Sequence, residues 1–134
     1  MGNEPFLVLL GDHVYTTKIK GISCAAQLVD VYSRHHKVPF VARSNRMQAI
    51  VLLTISKQSV TTLDTCDEST LHLNGVVVGT LTEGSNTLYT LTTAVEKPSP
   101  EYARQHLTSP GVEPGKYLCF FGIDLLTPRI FDIL

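Results

Sequence analysis

Phe6-Leu7-Val8-Leu9-Leu10-Gly11-Asp12-His13 is the most informative stretch of this chain. Five apolar residues run without a break, followed by a glycine and an acid. A run this short suits a strand better than a helix, and its unbroken apolarity predicts burial on both faces. Gly11 ends the strand and presents Asp12 at its carboxyl edge. In open α/β sheets that edge is where ligands bind. A single carboxylate there suits a hard cation such as Mg²⁺, held by one or two carboxylates plus phosphate oxygens. On spacing alone the plainer reading, that Asp12 caps a turn, is favoured, since this is a common use of Asp.

Beyond Asp12 the chain is polar as far as Gly21, with Thr16, Thr17, Lys18 and Lys20, and reads as a loop. Its two lysines can meet a phosphate or simply stay solvated. Ser23 is placed to N-cap a helix. Ala25, Leu28, Val29 and Tyr32 recur at helical spacing and predict an amphipathic helix from Cys24 to about His35. His35-His36-Lys37 ends it with positive charge, which the helix dipole favours. Adjacent imidazoles do not converge on one ion, so a metal reading of the pair is weak. Val38 to Ala42 reads as a short strand or extended loop, and Gln48 to Ile55 as a second buried strand. Strand, helix and strand in this order predict a parallel βαβ unit with a right-handed crossover. The segment Val38 to Met47 makes that crossover longer than it needs to be, as an insertion would.

Ser56 to Leu71 is polar and threonine-rich, with Asp64, Asp67 and Glu68, and reads as a short helix or loop with solvated acids. From His72 the periodicity changes. Leu73 to Leu81 reads as a strand, Glu83 to Asn86 as a turn and Thr87 to Thr92 as an alternating strand, together a hairpin. Gly75 either marks a bulge or lets a ligand approach the backbone closely. Glu96-Lys97-Pro98 follows the hairpin. Ser99 with Pro100 starts a helix over Glu101 to Leu107. Lys116 to Gly122 is the last buried strand, and Thr127 caps a helix from Arg129 to Leu134.

The 134 residues fit one domain, able to bury roughly two thirds of its surface on folding. Apolar residues make up 43% and charged residues 17%, a globular composition. The net charge of -1 comes with no basic stripe, which argues against a nucleic-acid partner. Cys24, Cys66 and Cys119 are odd in number and lack C-x-x-C spacing, so reduced thiols in a cytoplasmic protein are expected rather than a zinc site or disulfide framework. No apolar run approaches the length of a membrane span.

Three pieces stand in one order: Val8-Leu9-Leu10-Gly11-Asp12; Gly75-Val76-Val77 with Val95-Glu96-Lys97-Pro98; and Gly122-Ile123-Asp124-Leu125-Leu126-Thr127-Pro128-Arg129-Ile130-Phe131-Asp132-Ile133-Leu134. This order resembles the bacterial glucose-1-phosphate uridylyltransferase family, among the sugar nucleotidyltransferases. Ser23-Cys24, Gln27-Leu28 and Val31-Tyr32 also look like that family's helix after the first strand. The resemblance implies an α/β, Rossmann-like, three-layer fold with a mixed sheet and a β-hairpin. It implies Asp12 as the Mg²⁺ ligand, Gly75 as the glycine whose backbone meets the hexose, and Glu96 as the acid that binds sugar hydroxyls. Lys97 is then the catalytic lysine that contacts the sugar phosphate. The reaction implied is attack of a hexose 1-phosphate on the α-phosphate of UTP, giving a UDP-sugar and pyrophosphate.

The chain also departs from that pattern. The glycine-rich nucleotide-binding loop would lie before Phe6, and a second metal-binding acid after Leu134. His13 stands where many relatives carry an acid, and Gly122-Ile123-Asp124 replaces a commoner Gly-Arg-Tyr. The expectation is therefore a central, sugar-facing slice of a longer fold, inactive alone. The alternative is a non-catalytic module that binds sugar phosphates. Such a module could also form homo-oligomers or pair with another chain through exposed sheet edges. In the least specific case Glu96 and Lys97 only pair in solvent.

Overall fold

The structure is a computed structural model and describes residues 4–12, 14–17, 20–35, 50–52, 59–84 and 88–132. Its strands are β1 (Phe6–Leu9), β2 (Ile50–Leu52), β3 (Val60–Asp67), β4 (Gly75–Leu81), β5 (Leu88–Glu96) and β6 (Lys116–Leu126). Its helices are α1 (Cys24–His35) and α2 (Pro100–His106), with 3₁₀ turns over Glu68–Leu73 and Pro128–Asp132. The expected insertion Val38 to Met47 lies outside the described residues, as do His13, Lys18, His36 and Lys37.

The strands form one mixed sheet in the order β1-β6-β3-β2-β5-β4, and β4 also pairs with β6. Only β2 and β5 run parallel; the other pairs are antiparallel. The α/β class, the mixed sheet and the β4–β5 hairpin therefore agree with the sequence. The parallel βαβ unit does not form. β1 pairs with β6, and following the ladder through β6 and β3 leaves β1 and β2 running in opposite directions. A strand–helix–strand pattern fixes element types but not which strands become neighbours, and β6, from the far end of the chain, takes the place beside β1.

β1 is not buried on both faces either. Phe6 and Val8 are half-buried, whereas Leu7 and Leu9 are exposed, Leu9 by 50%. An apolar run permits two-sided burial, but β1 has only β6 beside it among the described residues. The stretch Ser56 to Leu71, expected as a short helix or loop, instead holds β3, followed by the 3₁₀ turn that begins at Glu68. Thr61 and Thr62 are almost fully buried in β3. Threonine is β-branched and suits a strand, and its hydroxyl must then find a partner inside. The Thr62 Oγ1 accepts from the Ile123 amide at 3.2 Å and lies 3.1 Å from the Ile123 carbonyl oxygen. Here β3 carries the single residue Thr62 between the pairs Thr61–Asp124 and Leu63–Phe120, while β6 carries Phe121, Gly122 and Ile123. Gly122 has φ +83 and lets β6 bulge and run on to Leu126.

Alternation along β4 and β6 divides the core into two faces. Cys24 and Leu28 of α1 cluster with Leu63, Val77, Leu118 and Ile123 on one face. Leu71, Ala103 and Leu107 cluster with Val76, Tyr117 and Cys119 on the other. Each fully buried leucine contributes about 2 kcal/mol in transfer terms, which is what holds helices to both sides of the sheet. The caps expected at Ser23 and Ser99 are present: their hydroxyls accept from Ala26 at 3.1 Å and Tyr102 at 3.3 Å. Where the last helix was expected, Pro128–Asp132 form a 3₁₀ turn whose Phe131 stacks on Phe6 at 5.6 Å, and Ile133 and Leu134 lie outside the described residues.

Candidate functional site

One edge of β6 is taken up by β3 along almost all of its length. The other edge is shared. β1 pairs there with residues Ile123 to Leu126, and β4 pairs with Leu118 and Cys119. Both neighbours run antiparallel to β6, so the carboxyl end of β1 points at the amino end of β4. The Leu10 amide donates to the Gly122 carbonyl at 2.9 Å, and Val76 faces Cys119. Only Phe120 and Phe121 of β6 lie between these two anchor points. Three residues of strand span about 10 Å, so the sheet brings the turn carrying Asp12 toward the start of β4 at Gly75.

Gly75 is the first residue of β4 and pairs directly with Glu96, the last residue of β5. A Cβ on Gly75 would stand 2.8 Å from the Glu96 Oε2 and 2.9 Å from the Phe120 Cδ2. A ring and a carboxylate thus close on bare backbone, and only glycine leaves room for them. Close backbone approach, rather than a bulge, accounts for this glycine: the β4–β5 register shift falls at Val78 and Gly79 instead.

The ladder runs one step further. The Lys97 amide donates to the Asn74 carbonyl at 3.1 Å. Lys97 has φ 48, the only non-glycine residue with positive φ among those described. That conformation costs roughly 1–2 kcal/mol for an L-residue. It turns the chain out of β5 between the last ladder bond and buried Pro98, ahead of the Ser99 cap of α2. The Lys97 Nζ lies 3.5 Å from the Glu96 Oε1, with both side chains mostly in solvent at 59% and 70% exposure. Glu96 offers carboxylate oxygens that accept hydrogen bonds, and Lys97 a mobile cation beside them.

At the β1 side, Asp12 is exposed in the turn after the strand. Tyr15 closes that turn: its hydroxyl lies 3.0 Å from the Leu10 carbonyl oxygen and 2.8 Å from that of Gly122. Its ring meets Phe121 edge-on at 5.5 Å. Burial pushes the Tyr15 phenol above its ordinary pKa, and the charges of Asp12 and Asp124 push the same way. Asp124, paired with Val8 and Thr61, is half-buried; desolvation raises its carboxyl and a hydrogen bond from the Thr61 hydroxyl partly offsets this. Neither Tyr15 nor Asp124 was among the site candidates from sequence. Tyr15 is only three residues from Asp12, but its bond to Gly122 and the approach of Asp124 depend on the β1–β6 pairing across more than a hundred residues, which leaves no local signal.

No group of three His, Cys, Asp or Glu side chains that could hold a metal ion occurs among the described residues. Asp12 fits Mg²⁺ only as one carboxylate completed by water or phosphate oxygens, which is how this ion is commonly held. No helix among the described residues is long and apolar enough to cross a membrane.

No family model matches the chain, and no solved structure matches it significantly. Curated proteins do match. The chain is 31% identical over 135 residues to a UTP–glucose-1-phosphate uridylyltransferase of Streptococcus pneumoniae serotype 4, and 30% identical over 137 residues to one of Streptococcus pyogenes. Each alignment takes in 100% of this chain and 34% of the relative, so the chain spans about a third of the length of the proteins it matches. The resemblance to the bacterial UTP–glucose-1-phosphate uridylyltransferase family thus holds along the whole chain.

Proposed function

We propose that this chain carries the hexose-1-phosphate side of a uridylyl-transfer site, with Gly75, Glu96 and Lys97 as its contacts. The observation that carries the proposal is the in-register pair Gly75–Glu96, in which an exposed carboxylate lies against backbone with no side chain. A carboxylate accepts from two vicinal hydroxyls at once, and the exposed Glu96 side chain, set against Gly75 at the corner of the sheet, is free to do so. Lys97 supplies a positive charge next to that carboxylate for the phosphate. The relatives are named as enzymes acting with UTP and glucose 1-phosphate, which fits this division of labour.

In the reaction the chain serves, a sugar-phosphate oxygen attacks the α-phosphate of UTP and pyrophosphate leaves. Phosphoryl-type transfer of this kind needs positioning and charge neutralisation rather than a covalent enzyme intermediate. Glu96 orients the sugar, Lys97 holds its phosphate, and Asp12 would hold Mg²⁺. When bound, that ion offsets negative charge on phosphate oxygens.

An amide NMR titration of the chain with glucose 1-phosphate and Mg²⁺, with UTP as comparison, tests this. Shifts centred on Gly75, Glu96 and Lys97 with the sugar phosphate are expected. Absence of shifts there at millimolar ligand would overturn the proposal. Glu96→Ala should abolish the response while changing stability by no more than about 0.5 kcal/mol, as for other exposed positions.

A further inference from the structure

Cys66 of β3 and Cys119 of β6 stand on one face of the sheet. The register pairs Cys66 with Tyr117 and Asp64 with Cys119, so the two cysteines are diagonal neighbours on adjacent strands. Their side chains hydrogen-bond to each other. The Cys119 Sγ also lies 3.5 Å from the Asp64 carbonyl oxygen. Both thiols are free and little exposed, yet both line a cavity of about 430 Å³ together with Asp64, Asp67, Asn74 and Phe120. That volume exceeds by an order of magnitude the ~30 Å³ share of a water molecule, so a small solute fits against the sulfurs. Cys24, the third thiol, is the buried first residue of α1 in the other cluster and is not among the residues lining this cavity.

We propose that Cys66 and Cys119 form a redox-active dithiol, which a small peroxide entering this cavity converts into a cross-strand disulfide. The two thiols have different parts. The hydrogen bond from Cys119 favours the Cys66 thiolate and lowers its pKa, whereas the same bond and burial raise that of Cys119. Cys66 is therefore the nucleophile and Cys119 the resolving thiol. The Cys66 sulfur attacks one peroxide oxygen, the O–O bond breaks, and a Cys66 sulfenic acid forms with release of water. The Cys119 sulfur then attacks the Cys66 sulfur; the S–S bond forms, the S–O bond breaks, and hydroxide leaves as water with the Cys119 proton. Two thiols are oxidised and one peroxide is reduced to two waters. The bond ties β3 to β6 immediately before Phe120, the residue whose ring covers Gly75.

The full native chain treated with hydrogen peroxide, blocked with iodoacetamide and digested without reductant supplies the test by mass spectrometry. The expected product links the Cys66 and Cys119 peptides, with two of three thiols lost, Cys24 still alkylatable after unfolding, and full recovery with dithiothreitol. Cys24→Ser should keep the link, and Cys66→Ser or Cys119→Ser should each remove it. The wild-type peptide map stands alone even where a variant fails to fold. A link that includes Cys24 would overturn the proposal, as would a Cys66 sulfinic acid with Cys119 still free, or three intact thiols.

Discussion

Glu96 faces Gly75 across the β4–β5 ladder, and its Oε2 lies 2.8 Å from where a Gly75 side chain would begin. The glycine and the acid are twenty-one positions apart in the chain, and the hairpin makes them one structural unit. Phe120 completes that unit from β6, so β4, β5 and β6 all contribute to one corner of the sheet.

Gly75→Ala places a methyl against both the Glu96 carboxylate and the Phe120 ring. The exposed glutamate can swing away; the half-buried ring has less freedom. A loss of about 1–3 kcal/mol, the usual range for overpacking, is expected in chemical denaturation, together with loss of sugar-phosphate binding. Adding Glu96→Ala should recover only part of the stability, because Phe120 remains. An unchanged denaturation midpoint in Gly75→Ala would show that the close approach is not tight.

Lys97 sits at φ 48. Glycine enters that region freely, whereas alanine bears the same steric cost as lysine. Lys97→Gly should therefore be more stable than Lys97→Ala by about 1 kcal/mol, and both should bind glucose 1-phosphate more weakly than wild type. Equal stability of the two variants would mean that the left-handed turn is not maintained in solution.

Gly122→Ala combines two penalties: φ +83, and a Cβ only 2.9 Å from the Leu10 Cδ1 and 3.1 Å from the Tyr15 hydroxyl. A loss of at least about 1–2 kcal/mol is expected from the backbone alone. The amide of Leu10, bonded to Gly122, should lose hydrogen-exchange protection before the amides of β4 do. Retained protection at Leu10 would mean that β1 is held by other contacts.

Burial raises the Asp124 carboxyl above its ordinary value of 3.8. The folded chain then holds that proton more tightly than the unfolded chain, so stability falls as pH rises from about 4 through the raised value. Asp124→Asn keeps an acceptor for the Thr61 hydroxyl and removes the charge. It should melt higher than wild type at pH 7, with the difference vanishing below pH 3.8. A variant that melts lower than wild type at pH 7 would show that the carboxylate is stabilised by a partner other than Thr61.

Local chemistry made much of the chain legible. Ser23 and Ser99 announced their helices because a cap needs only a hydroxyl one turn from free amides. The β4–β5 hairpin followed from two strands separated by a glycine-containing turn. Gly75, Glu96 and Lys97 could be singled out as site candidates, and the fold places them at one corner. β3 was misleading because its threonines look solvent-facing, and the buried hydroxyls of Thr61 and Thr62 are satisfied by Asp124 and Ile123, some sixty residues away.

The sequence by itself determined most element types, β3 excepted, because these depend on residue chemistry at short spacing, and it carried the family resemblance that singles out Gly75, Glu96 and Lys97 as candidates. Only the tertiary structure decided that β1 lies beside β6 rather than β2, and that Asp12 is carried toward Gly75. It also decided that Cys66 meets Cys119. Each of these depends on register between strands far apart in the chain. That register is set where the Gly122 bulge, the Thr62 hydroxyl and the two-faced core are satisfied together, a condition no local stretch of residues contains.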